Sequence, residues 1–245
     1  MLRQRIITAL IIAPLFLLGL FATSHLGFAL FLGLIVSIGG WEWARIVGWT
    51  SNPTRLTFAA MVVCGIYSCW WLDPLVVLGV AAVWWIAAFY LILNFPASKT
   101  VWEPVWFRAL AGLLVLIPAW KALISLRGGV ISVAPDISTV WLIFYIFLIV
   151  WAADIGAYFA GKNFGHRKLA PSVSPGKSVE GVIGGLMAVS LLPFVAMPLL
   201  QISPLQTIIL WLITLSSALV SVLGDLLESL GKRVAGIKDS SQILP

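Results

Sequence analysis

The chain has 245 residues, of which 61% are hydrophobic and only 10% charged, and its mean hydropathy is +1.08. Soluble domains carry about 25% charged and about 45–50% apolar residues, so composition excludes a water-soluble globule, a disordered chain, a coiled coil and a disulfide scaffold. The net charge of +6 reads as cationic loops at an anionic membrane face rather than as a nucleic-acid surface, and no nucleic-acid partner is expected.

An integral membrane protein remains, and the long apolar blocks lack the alternation of barrel strands. The expected fold is all-α and polytopic, with about eight spans of roughly 20 residues. The first follows the basic Met1–Arg5 segment and runs from Ile6 to Ala22. It reads as a retained span, because no small-residue cleavage site follows it. The next are Leu26–Gly40, Leu56–Leu72, Leu75–Leu93, Val105–Ser125, Val140–Ala160, Val179–Leu200 and Thr207–Leu227. The whole chain is expected to form one transmembrane domain, residues 1–139 supplying N-terminal spans and 140–245 a catalytic core.

With the N-terminus inside, all of the 15 Lys and Arg residues except Arg127 and Lys121 fall on inner segments. That asymmetry predicts a cytoplasmic N-terminus. Lys121 is expected to snorkel outward from the fifth span. Trp41, Trp43, Trp70, Trp71, Trp102, Trp106 and Trp141 lie near predicted span ends and suggest interfacial belts. Cys64 and Cys69 sit in one apolar stretch and read as packing residues.

Two inner segments concentrate polar residues. In the first, Asp154, Tyr158, Gly161 and Lys162 are spaced to share one helix face, and a carboxylate within a span usually faces a partner or a wet cavity. A Ser174-Pro-Gly-Lys177 turn and Glu180 then precede a restarting apolar run. Such a turn before a helix N-terminus can offer N–H groups and a cation to phosphate. In the second, Ser221, Asp225, Glu228, Ser229 and Lys232 form a polar stripe, followed by Arg233, Lys238 and Asp239. Hard oxygen ligands beside cations suit Mg²⁺ bridging to a polyphosphate. Each stripe could equally be a salt-bridged helix end. Together they predict a cytoplasm-facing polar cleft with apolar walls, suited to phosphoryl or nucleotidyl transfer to a lipid.

At these segments the sequence resembles the phosphatidate cytidylyltransferase (CDP-diacylglycerol synthase) family. The resemblance rests on the run from Trp151 to Gly181 and on Ser221-x-x-Gly224-Asp225-Leu-x-Glu228-Ser229 with the following Lys-Arg and Lys-Asp-Ser. The Arg3–Pro14 region and Trp41-Glu42-Trp43 are also similar. It implies a bilayer enzyme that joins CTP and phosphatidic acid to give CDP-diacylglycerol and pyrophosphate with Mg²⁺, leaving room for a second cation and for a homodimer. It implies Asp225 at the metal, lined by Ser221, Glu228 and Ser229. Lys177, Lys232, Arg233, Lys238 and Lys162 would contact phosphates, and Asp154, Tyr158, Ser174 and Glu180 would position the nucleotide; Asp239 belongs to the same binding segment. The family signature continues past Pro245 with further acidic residues and a final span, so the chain reads as truncated at its C-terminus, with impaired turnover expected. A lipid or polyprenol kinase, a transporter and an inactive membrane protein are the competing readings.

Overall fold

The computed structural model describes residues 2–130, 138–200 and 202–237, with side chains from residue 11 onward. The chain is almost entirely helical and divides into two compact units, residues 1–134 with 231–245, and residues 135–230. Large apolar side chains point outward along the helices; Leu30, Leu34, Val83, Ile86 and Leu199 are all more than 60% exposed. A soluble protein would bury such a surface, whereas a bilayer accepts it.

The first unit contains α1 (Leu2–Ala22), α2 (His25–Val47), α3 (Asn52–Trp70), α4 (Pro74–Leu93), the single turn α5 (Lys99–Trp102) and α6 (Val105–Arg127). Local chemistry fixes the ends. Ser24 Oγ accepts from Gly27 N at 3.2 Å and Ser51 Oγ from Thr54 N at 3.4 Å, while Asp73 Oδ1 accepts from Leu75 N at 2.7 Å. These caps satisfy otherwise orphaned first-turn N–H groups. Gly48 closes α2 with φ +100°, a conformation that favours glycine.

α2 and α6 form the centre of this unit, with α3 against both and α4 against α6. Three side chains join them through backbone carbonyls. Trp43 Nε1 donates to Arg108 O at 2.9 Å, Trp120 Nε1 to Ala29 O at 3.0 Å, and Arg55 Nε to Trp41 O at 3.1 Å. Trp43 also lies where a Cβ on Gly112 would stand.

The interfacial-belt expectation is therefore corrected for part of its set. Trp43 and Trp102 are buried among helices, whereas Trp71, Trp106 and Trp141 are largely exposed. Lys121 does not snorkel either. It is buried, and its ammonium donates to Trp70 O at the C-terminus of α3 at 3.2 Å, where the helix dipole favours a cation.

The second unit contains α7 (Thr139–Phe164), strands β1 (Lys168–Ala170) and β2 (Ser174–Ser178), α8 (Val179–Ser190), α9 (Leu192–Leu200), and α10 (Pro204–Val234) as far as Leu230. α7 and α8 pack through small residues. A Cβ on Gly156 would lie 2.6 Å from Gly184 O, and one on Gly185 would lie 2.8 Å from Ala153 O. Only glycine permits that backbone approach, the usual device of helix pairs in membranes. α10 joins them through a cluster of Ile149, Ala153, Val189 and Ala218. Tyr145 and Thr214 share a hydroxyl hydrogen bond of 2.7 Å beside it.

All eight predicted spans are helical. Among the described residues, six helical stretches meet the length and hydropathy of a membrane crossing: α2, α4, α6, α7, the α8–α9 pair and α10. The second span is longer than expected, since α2 continues through Trp41-Glu42-Trp43 to Val47. Leu191 ends α8 and Pro193 sits in the first turn of α9, so that span is built from two helices.

Candidate active site

α7 ends where Gly165 crosses close to its own preceding turn. A Cβ there would collide with Gly161 O and lie 2.8 Å from Ser178 Oγ. The chain then forms a short strap. β1 pairs antiparallel with β2, matching Lys168 with Ser178 and Ala170 with Ser174. One residue separates the two paired positions on β1 and three separate them on β2, so the ladder bulges at Pro175-Gly176-Lys177. Proline lacks a ladder donor and is tolerated at such an irregularity. The expected Ser174–Lys177 turn is thus corrected: these residues are extended, and the turn falls at Pro171–Val173.

The phosphate cradle expected at the N-terminus of α8 is also corrected. Its first N–H groups already have partners within the chain. Val179 N donates to Arg167 O at 2.8 Å, and Gly181 N donates to the buried Ser178 Oγ at 3.1 Å. Glu180 turns back onto the strap, where its carboxylate accepts from His166 N at 3.1 Å and from Arg167 N at 3.1 and 3.3 Å. Its Oε1 also pairs with Arg167 Nε at 3.2 Å.

The strap carries Lys177 to the polar stripe of α10. Lys177 Nζ lies 2.5 Å from Asp225 Oδ2, and the Asp225 side chain keeps 54% of its surface exposed. The charges of both residues reach Asp154, an exposed carboxylate on α7. Lys177 on β2 and Asp225 on α10 thus form an ion pair, with the Asp154 carboxylate of α7 within reach of their charges.

The remaining candidate residues are placed by their own elements. Tyr158 and Lys162 follow Asp154 on α7, with the Lys162 ammonium 5.9 Å from the Tyr158 ring centroid. Ser174 opens β2 opposite Ala170. Ser221, Glu228 and Ser229 share α10 with Asp225, and Ser221 Oγ donates to Ala218 O at 2.8 Å. Lys232 and Arg233 occupy the last turn of α10. Lys238 and Asp239 lie outside the described residues. Among the described residues, no three His, Cys, Asp or Glu side chains converge as a metal cage.

Residues that sequence reasoning missed here are structural: Ser178 and Gly165, which close the strap onto α7 and α8. The spacing Gly181-x-x-x-Gly185 was the available signal for the close helix pair.

Comparison with known proteins identifies the family. Residues 3–245 match the cytidylyltransferase family. A phosphatidate cytidylyltransferase from Pseudomonas aeruginosa is 46% identical over 247 aligned residues, covering 100% of this chain and 89% of that protein. The Haemophilus influenzae protein of the same name is 35% identical over 270 residues, covering 100% of this chain and 91% of that protein. The one from Bacillus subtilis is 46% identical over 103 residues, 42% of this chain. A match along essentially the whole sequence, added to a multi-pass helical fold with a charged cluster on three of its elements, establishes that the chain belongs to the cytidylyltransferase family.

Proposed function

We propose that this chain transfers the cytidylyl group of CTP to phosphatidate, giving CDP-diacylglycerol and pyrophosphate, at the cluster of Asp154, Lys177 and Asp225. The observation that carries the reading is the Lys177–Asp225 pair with Asp154 in electrostatic reach, in a chain whose full-length relatives are named for that activity.

A phosphate oxygen of phosphatidate attacks the α-phosphorus of CTP. The new P–O bond forms as the α–β bridging bond breaks, and pyrophosphate leaves with the electron pair. The nucleophile is already ionised, so the site has to position and neutralise rather than supply a strong base. Lys177 meets that need: its ammonium is held where it can pass from Asp225 to a phosphate oxygen. Lys162, Lys232 and Arg233 are further cations for the triphosphate, and Tyr158, Ser174, Ser221, Glu228 and Ser229 supply polar groups on the same elements.

Two carboxylates suit Mg²⁺, which is commonly held by one or two carboxylates together with substrate phosphates. Asp225 and Asp154 would hold it. When bound, the ion supplies charge neutralisation across the triphosphate. The outward apolar side chains beside the cluster, such as Ile155 and Phe159, allow the lipid tails to stay in the bilayer while the headgroup reaches the carboxylates. The concentration of Lys and Arg on the segments carrying this cluster supports a cytoplasmic active site in a bacterial-type inner membrane.

The test supplies CTP labelled either in the cytosine ring or in the γ-phosphate, with phosphatidate and Mg²⁺, and follows label into extracted lipid. Ring label in the lipid and γ label in released pyrophosphate is the expected result. Label transferred from the γ-phosphate alone would identify a lipid kinase and overturn the reading.

A further inference from the structure

Glu180 lies in the first turn of α8, directly after the strand that carries Lys177, and its carboxylate is bound to the strap. Both oxygens are engaged by the strap's own backbone. Oε2 accepts from His166 N and Arg167 N, each at 3.1 Å, and Oε1 accepts from Arg167 N at 3.3 Å and Arg167 Nε at 3.2 Å. The Glu180 side chain is 20% exposed and that of Arg167 is 74% exposed. Arg167 O in turn accepts from Val179 N at 2.8 Å, so the start of the strap is tied to the first turn of α8 at both its N–H and C=O groups.

That tie has a geometric consequence. Lys177 lies on the return strand of the same strap, one residue from the Ser178 that pairs with Lys168. Fixing residues 166–168 against α8 fixes the return strand through this pairing, and Lys177 with it. A lysine on an untethered loop has many rotamers and backbone states to lose before it can meet a triphosphate. One on a pinned strand has few.

We infer that Glu180 is a positioning residue, pinning the 165–178 strap to the first turn of α8 so that Lys177 is presented to Asp225 and to the nucleotide phosphates. The inference rests on the cytidylyltransferase reading and deepens it. Glu180 acts through Lys177 and contacts neither substrate nor metal. Charge is essential to the role, because a neutral amide keeps one acceptor for the N–H groups but loses the ion pair and gains donors that face them.

The test compares the full chain in lipid nanodiscs with Glu180→Gln, Lys177→Ala, the double variant, and Arg167→Ala. CTP affinity is measured by equilibrium binding, turnover is measured where the chain turns over, and trypsin cleavage at Arg167 and Lys168 reports the strap directly. Glu180→Gln is expected to weaken CTP binding about tenfold, the equivalent of one charge-assisted hydrogen bond. It should speed cleavage of the strap and leave the phosphatidate KM unchanged. In the Lys177→Ala background the same substitution should change CTP affinity by less than about twofold, because groups acting as a unit are not additive. Arg167→Ala keeps the backbone N–H contacts to the carboxylate and should give a smaller effect in the same direction.

A full additional loss in the double variant would show that Glu180 meets the ligand itself, and would overturn the inference alone. Unchanged strap cleavage in Glu180→Gln would also overturn it. Wild-type CTP binding and turnover in Lys177→Ala would instead remove the active-site reading, and the inference with it.

Discussion

Lys177 and Asp225 stand 48 positions apart in the chain and meet at 2.5 Å between Nζ and Oδ2. The pair joins the strap between α7 and α8 to the middle of α10's polar stripe. A lysine on a carboxylate that is also the proposed metal ligand means that the two cations compete for one oxygen. With a nucleotide bound, Lys177 would have phosphate oxygens in place of the Asp225 carboxylate, which would be left to hold the metal.

The strongest consequence concerns Asp225. Asp225→Asn keeps the shape of the side chain and removes its charge. Cytidylyl transfer should fall by at least about 10²-fold, as expected when a preorganised charge at the reacting centre is lost. Because the side chain is more than half exposed, thermal stability should be nearly unchanged, which a melting curve in detergent checks. Near-normal transfer would remove Asp225 from the proposed metal site.

Lys177→Ala tests the partner. Its side chain is only 27% exposed and is held by Asp225, so truncation removes a preplaced cation. The apparent CTP requirement should rise about tenfold or more, with the dependence on phosphatidate unaltered. Initial rates over a CTP series separate this from a topology anchor, whose removal would leave both unchanged.

The residues of the candidate site were legible in the sequence as polar positions, and the reason is membrane composition. Nine acidic residues in 245 leave few places for chemistry, so Asp154, Lys177 and Asp225 stand out as polar positions that an apolar chain would otherwise exclude. Less legible was how backbone pairing overrides local preference. Ser174-Pro-Gly-Lys177 has turn composition, but antiparallel pairing with Lys168–Ala170 draws it into an extended strand with a bulge. The helix N-terminus of α8 looked free for an anion because nothing in the sequence says that Glu180 folds back onto His166 and Arg167. Tryptophan was ambiguous for a similar reason. Position near a span end does not distinguish Trp106, which faces outward, from Trp102, which is fully buried; only the packing of neighbouring helices decides.

The contact between α7 and α8 predicts a stability effect with an indirect functional cost. Gly156 faces Gly184 O at a distance that leaves no room for a Cβ. Gly156→Leu should force the helices apart and destabilise the second unit by about 1–3 kcal/mol or more, the usual range for overpacking. A lower melting temperature, with activity per folded molecule falling because α7 carries Asp154 and α8 anchors the strap, is the expected result. Gly176, with open space around its Cβ position, provides the control: Gly176→Ala should leave the stability within about 0.5 kcal/mol of the parent.

In the first unit, Arg55 provides a separate prediction about packing. Its guanidinium carbon lies 4.3 Å from the centroid of the Trp41 ring, and its Nε donates to the Trp41 carbonyl. The side chain is 4% exposed, and its second terminal nitrogen has no hydrogen-bond partner. A planar guanidinium can stack on the indole and reach the carbonyl at once; an ammonium cannot do both. Arg55→Lys should therefore cost about 1–2 kcal/mol, the size of a desolvated cation–π contact. Arg55→Met keeps an apolar stem without the buried charge. Because a buried cation with an unmade hydrogen bond is itself costly, Arg55→Met should be no more destabilising than Arg55→Lys. Melting temperatures of the two variants decide the point: a Lys variant as stable as the parent would show that charge alone holds α3 to α2, and would rule out the stacked geometry as the source of stability.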